Sequence, residues 1–380
     1  MMTTETVLKN ANIVLPDEVI SGTVKIIDGI IVDIASGSSV SGEDMEGDYL
    51  TPGLVELHTD HLEGHYAPRP KVRWNPIAAV QAHDAQIAAS GITTVFDALR
   101  IGFDDEAQTG IDDMRKLSSA IAEGREAGRL RADHFLHLRC EVSAPDCLSA
   151  FERFGVHPLV KLVSLMDHAP GQRQFTDIET YKSYYMSKLR VTEEEFIRYC
   201  EKRMDQSQQH SAPTRKAIAR ACLERGIVLA SHDDATADHV AEASTQGIRI
   251  AEFPTTHLAA KASKEAGMSV LMGAPNVVRG GSHSGNVSAR ELAEAGHLDI
   301  ISSDYIPASM MQSAFFMADV MEQITLPQAI KLVSSNPAKA VGLQDRGEIA
   351  IGKRGDLVRV QIAEHVPIIR TVWREGRRVI

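Results

Sequence analysis

The segment Leu54-Val55-Glu56-Leu57-His58-Thr59-Asp60 is an apolar run that ends in an imidazole, a hydroxyl and a carboxylate. Successive strand side chains alternate faces, so His58 and Asp60 point the same way. An imidazole beside a carboxylate at a strand end is a donor pair for a divalent metal; a buried His and Asp that satisfy each other is the alternative. Similar groups recur along the chain. His137, Arg139 and Glu141 share one face of a strand by parity, and later apolar runs end in Asp167-His168, in His232-Asp233-Asp234, near Glu252 and in Asp304. Gathered together, these carboxylates and imidazoles are costly unless a cation neutralises them. A mixed shell of this kind suits one or two ions of zinc, manganese or iron.

A second set of residues is cationic. Arg69, Lys71 and Arg73 follow the first motif, and Arg173 follows Pro170-Gly171. Arg279 opens the stretch Arg279-Gly280-Gly281-Ser282-His283-Ser284-Gly285-Asn286, a glycine-rich loop able to present N–H groups to phosphate oxygens. For the first cluster a solvated basic run is the competing reading.

The elements that must position these groups alternate between strand and helix patterns. Strand candidates begin at Leu54 and continue as Ile92–Asp97, Phe135–Glu141, Val160–Asp167, Ile227–Asp234, Ile248–Phe253, Val270–Asn276 and Leu298–Asp304. Helical patterns separate most of them, for example Met114–Ala127, Arg215–Arg225 and Ala235–Gln246. This order predicts an α/β fold, a parallel (β/α)8 TIM-type barrel whose C-terminal loops collect every group above. A doubly wound open sheet is the alternative, but no GxGxxG turn is present. Both chain ends read as short strands, with an Asp28-Gly29 hairpin signal near the start. Residues 1–50 and 345–380 are therefore expected to form one small β-sandwich domain around a barrel of residues 51–344. The insertion 168–213, rich in Tyr, Lys and Arg, is expected to be a lid or, equally, an oligomer contact.

Composition limits the function. The chain has 380 residues, of which 43% are hydrophobic, and a net charge of −11, which argues against nucleic-acid binding. No apolar run approaches the ~20 residues of a membrane span. The N-terminus lacks a secretion-signal pattern, and Cys140, Cys147, Cys200 and Cys222 form no CxxC pair, so free thiols in a cytoplasmic protein are expected. A homodimer would be unsurprising.

The entry Thr51-Pro52-Gly53-Leu54-Val55-Glu56-Leu57-His58, the two terminal sheet segments and the late Asp304 resemble the metal-dependent amidohydrolase superfamily. The resemblance implies metal ligation by His58, Asp60, Glu141, His232 and Asp304, with Asp304 as proton acceptor and His232 also counted in the catalytic set. Lys161 lies too early in its strand to be the carbamylated bridging lysine of some members; Glu141 is the better bridge. Glu252 stands where the superfamily generally has His. It is read as a ligand or as a carboxylate orienting His232, with Asp167 and His168 also near the centre. The strings Leu165-Met166-Asp167-His168-Ala169-Pro170-Gly171-Gln172-Arg173 and Met272-Gly273-Ala274-Pro275-Asn276-Val277-Val278-Arg279-Gly280-Gly281-Ser282-His283 are similar to one branch. That branch hydrolyses a ribose methylphosphonate triphosphate in the carbon–phosphorus lyase pathway. The resemblance implies a small phosphorylated sugar as substrate. The groups expected to hold it are Arg69, Lys71, Arg139, Arg173, Arg279, Ser282 and His283. The rivals are a cyclic amidase or deaminase, against which the cationic loops count, and a non-catalytic scaffold, against which the near-complete ligand set counts.

Overall fold

A computed structural model describes residues 4–37, 39–102, 110–154, 156–173, 182, 192–282 and 285–380. The N-terminal strands are β1 (Glu5–Val14), β2 (Val19–Ile27), β3 (Ile30–Ser36), β4 (Glu43–Asp44) and β5 (Tyr49–Pro52). The middle of the chain supplies β6 (Leu54–Thr59), β7 (Ile92–Ile101), β8 (Asp133–Glu141), β9 (Val160–Met166), β10 (Val228–His232), β11 (Ile250–Glu252), β12 (Ser269–Gly273) and β13 (Ile300–Ser302). The C-terminus adds β14 (Leu357–Ala363), β15 (Val366–Arg374) and β16 (Arg377–Arg378).

Strands β6 to β13 lie side by side in chain order as eight parallel strands, a nearly closed barrel. Closure falls between β13 and β6, where an isolated bridge pairs Thr59 with Asp304. The interior is filled by strand residues such as Leu57, Phe96, Leu162, Ala230, Leu271 and Ile300. The strands' other faces carry Leu138, Cys140, Val163, Leu165 and Leu229, which pack against helix residues such as Leu117, Ile121 and Ile218. This in-and-out burial is what an all-parallel sheet wrapped in helices requires.

Both termini contribute to one mixed sheet, ordered β16-β15-β14-β5-β1-β2-β3, with β4 on β1. Strand β5 pairs antiparallel with β14 and parallel with β1, so the two chain ends are stitched together just before β6 enters the barrel. Leu8, Ile13, Ile26, Leu50, Leu357 and Trp373 form its separate core.

Strands β10, β11 and β13 are shorter than the apolar runs suggested, because the chain leaves the sheet early, whereas β7 and β8 run longer than Ile92–Asp97 and Phe135–Glu141. Asp233, Phe253 and Asp304 have φ of 56°, 52° and 57°, left-handed values that stop β10, β11 and β13 and turn the chain at the rim. The second half of the 168–213 insertion and the helix expected at Arg215–Arg225 are a single 33-residue helix, Glu193–Arg225. Thr192 and Glu195 form a capping box at its start, and Gly226 at φ 66° ends it. Pro213 sits inside it without ending it. Of the aromatic part of the insertion, Tyr181, Tyr184 and Tyr185 lie outside the described residues.

Candidate active site

The carboxyl ends of the parallel strands meet at one mouth, and the polar residues of the sequence collect there. His58 is the last residue but one of β6, His232 ends β10 and Glu252 ends β11. Their donor atoms lie within 4.8 Å of one another, and all three side chains are buried. Glu252 Oε2 is 3.3 Å from His58 Nδ1 and 3.1 Å from His232 Nδ1. Among the described residues, His58 Nδ1 and Glu252 Oε1 are buried without a hydrogen-bond partner. The two imidazole rings stack at 5.6 Å, with Phe253 set edge-on against both. Buried donor groups gathered this closely, two of them carrying an orphaned polar atom, are what a bound divalent cation satisfies, so the residues fit a metal.

Around this core the charges alternate in sign. Arg139 on β8 grips Asp60, and Asp60 Oδ1 lies 3.6 Å from His58 Nε2. On the other side Asp233 Oδ2 lies 3.4 Å from His232 Nε2 and 3.7 Å from His168 Nε2. His168 Nδ1 bonds Glu141 at 2.6 Å, and Arg203 from the long helix reaches Glu141 at 3.3 Å. His168, His232 and Asp233 thereby form a second donor group that shares His232 with the first.

Burial and neighbours set the protonation states. Burial opposes a charge on His58, but Glu252 and Asp60 overcome it and raise its pKa to about 10. Burial raises Asp60, yet Arg139 and His58 hold it well below the usual carboxylate range. Burial and then the nearby Asp60 push Asp304 up to about 7, against the pull of His58 and Arg139. Its carboxylate lies against the backbone of Gly273, where an added Cβ would stand 3.2 Å from Oδ2. Any larger residue at Gly273 would displace the carboxylate.

A third His and carboxylate group behaves differently. His83, Asp97 and His134 are wholly buried between the barrel and its helices, with His83 Nε2 at 2.8 Å and His134 Nδ1 at 2.7 Å from Asp97. Asp84 takes the other nitrogen of His134 at 3.2 Å. Burial disfavours charge on His134, but Asp97 and Asp84 raise its pKa to about 9. These are direct hydrogen bonds around one imidazolium, not a gap for an ion.

Among the residues expected at the site, His58, His232 and Glu252 converge most tightly. Asp60 and Asp304 stand at the edge of that group, and Glu141 is joined to it through His168 and Asp233. Asp167 turns towards the long helix and accepts from Ser207 at 2.8 Å and Ser211 at 2.6 Å. Arg173 is buried between Asp234 and Glu242, a clamp inside the fold rather than an open cation. Arg69 and Lys71 are exposed on the connection after β6; Arg279, expected in a loop, is exposed at the end of a short helix, Ala274–Arg279, that follows β12, and Ser282 is half-buried just beyond it. Arg73 bonds Asp113 at 3.4 Å. His283 lies outside the described residues.

Two site contributors were not singled out from sequence. Asp233 was visible only as a neighbour of His232, and its approach to both imidazoles depends on its left-handed backbone. Ser164 donates to Glu252 at 2.7 Å and sits beside His137, fixing the carboxylate from below. A lone serine inside an apolar strand carries no signal of this role.

Residues 184–379 match the family described as the amidohydrolase family. Along almost its whole length the chain is similar to the alpha-D-ribose 1-methylphosphonate 5-triphosphate diphosphatase of Escherichia coli (strain K12), 49% identical over 376 residues, covering 98% of this chain and 100% of that protein. Among solved structures it resembles an N-acetyl-D-glucosamine-6-phosphate deacetylase variant from Mycobacterium smegmatis, with a TM-score of 0.66 at 16% identity, covering 99% of this chain and 100% of that one. A 5-methylcytosine deaminase from Klebsiella pneumoniae gives a TM-score of 0.65 at 14% identity, covering 99% and 98%. The two structures establish the fold alone. With the family match and the full-length relative, the chain belongs to the amidohydrolase family.

Proposed function

We propose that this chain hydrolyses alpha-D-ribose 1-methylphosphonate 5-triphosphate to the 5-phosphate and pyrophosphate, as a cytoplasmic step in phosphonate breakdown. The observation that carries this reading is the 49% identity with the diphosphatase across nearly every residue of both chains. The surroundings support it: Arg139 lies at the centre, and Arg69, Lys71 and Arg279 stand in the connections after β6 and β12, at the same end of the barrel. A neutral amide has no use for such cations, whereas a triphosphate needs them.

His58, His232 and Glu252 would hold one divalent ion, and His168, His232 and Asp233 offer donors for a second; zinc, manganese or iron suits the mixed shell. Such an ion supplies Lewis-acid chemistry: it acidifies water and neutralises charge on phosphoryl oxygens. Asp304 takes a proton from the attacking water and later returns it to the leaving oxygen. The water oxygen forms a bond to phosphorus as the bond to the pyrophosphate oxygen breaks, roughly in line. Arg139 and the rim cations Arg69, Lys71 and Arg279, with Ser282 and His283, bind the phosphates and spread the developing charge. Arg173 acts at one remove, by holding the loop after β9 against Asp234 and Glu242.

The test is phosphorus NMR of metal-replete protein with the triphosphate. Pyrophosphate and a sugar 5-phosphate are expected. An intact triphosphate in the presence of protein shown to carry metal would overturn the proposal. Chelation should abolish turnover and readdition of a divalent ion should restore it.

A further inference from the structure

Strands β6 and β13 end the sheet path of the barrel, and the bridge between Thr59 and Asp304 spans the gap at its mouth. There Asp304 N–H donates to His58 O at 3.1 Å and Asp60 N–H donates to Asp304 O at 3.0 Å. On its other side β6 is irregular, its register with β7 shifting between Glu56 and Thr59. The N–H of His58 finds its partners in side chains instead.

Those partners centre on Glu56, which is wholly buried. Its Oε1 accepts from His58 N–H at 2.5 Å and from the Ser302 hydroxyl, and its Oε2 accepts from Ser303 N–H at 2.6 Å. The Ser302 oxygen is itself 2.8 Å from His58 N. One carboxylate thus replaces ladder bonds across the seam, tying the backbone of His58 to the residue just before Asp304. Only an acceptor-only group fits three donors; an amide would set an N–H against one of them.

We propose that Glu56 is a positioning residue, a carboxylate strut that sets the spacing between His58 and Asp304 across the barrel seam. It touches neither the candidate metal donors nor the substrate groups with its own chemistry. It acts through the backbone of one and the neighbour of the other. The proposal rests on the reading of His58 as ligand and Asp304 as base.

The test compares wild type, Glu56→Gln and Ser302→Ala as full-length, metal-loaded proteins. Glu56→Gln is expected to keep the wild-type metal content and KM but lose roughly 10- to 100-fold in kcat, the effect of an ångström-scale misplacement. Ser302→Ala, which leaves the carboxylate and both backbone donors in place, should show a smaller loss in the same direction. Cobalt-substituted protein supplies a readout besides turnover: the visible absorption bands of Glu56→Gln should differ from those of wild type. Wild-type kcat together with a wild-type cobalt spectrum in Glu56→Gln would overturn the proposal, whatever the change in Tm. If Glu56→Gln does not fold, Ser302→Ala carries the same decision. Should wild type itself leave the triphosphate intact, the functional reading falls, while the cobalt spectrum still decides the strut.

Discussion

Asp304 is the residue whose surroundings best suit a base. It is buried, and its pKa is pushed up to about 7 by burial first and Asp60 second, despite the nearby His58 and Arg139. A base works deprotonated, so kcat/KM is expected to climb with pH through the range in which Asp304 ionises. Asp304→Asn should lower turnover by about 100- to 10,000-fold while leaving bound metal unchanged; near-wild-type turnover would remove Asp304 from the mechanism. Arg139 is the matching test for the substrate. Its planar fork already holds Asp60, and a lysine keeps the charge without the fork. Arg139→Lys is expected to raise KM for the triphosphate about tenfold, the equivalent of about 1.4 kcal/mol. An unchanged KM in steady-state kinetics would exclude phosphate contact by Arg139.

At the scale of elements, the long helix Glu193–Arg225 is bound to the barrel rim by polar contacts. Asp167 at the end of β9 accepts from Ser207 and Ser211, Arg203 reaches Glu141, and Arg215 donates to Leu165 O at 3.3 Å. Two hydroxyls on one buried carboxylate are worth about 3 kcal/mol together. Ser207 and Ser211 replaced jointly by Ala should therefore loosen the helix. Hydrogen exchange is expected to quicken along its first half, and turnover should fall because Glu141 loses the support of Arg203. Exchange identical to wild type would show that Ser207 and Ser211 do not hold the helix to the rim.

For the whole molecule, the buried network of Asp84, Asp97, His83 and His134 ties the helix Pro76–Ala89 to β7 and β8, the strands beneath Arg139 and Glu141. His134 is raised from 6.5 to about 9 on folding, against burial and because of Asp97 and Asp84. A raised folded pKa gives stability that is fully present below the unfolded value of 6.5 and is lost as pH rises through about 9. Tm should consequently fall between pH 7 and pH 9.5 in wild type and fall less steeply in His134→Gln, as followed by circular dichroism. Parallel slopes would mean that the proton on His134 does not stabilise the fold.

The sequence by itself determined the alternation of strands and helices and the pairing of the two chain ends, and it marked most of the positions proposed to bear chemistry. These follow from local causes: apolar runs of strand length, strand parity at His58 and Asp60, and the polar residues that end each run. The match to a known branch of the family was legible for the same reason, in long strings such as Pro170-Gly171-Gln172-Arg173. Tertiary structure alone decided which of those groups meet. Arg173 and Asp167 look equivalent to the other rim residues in sequence, yet each is turned into the fold by a partner more than 35 residues away, Asp234 for the first and Ser207 for the second. Glu56 reads as one more residue in an apolar strand; only closure of the barrel brings Ser302 and Ser303 to its carboxylate. Strand patterning is a property of neighbours in the chain. Ligation, clamping and closure depend on distances across the barrel, which no local pattern encodes.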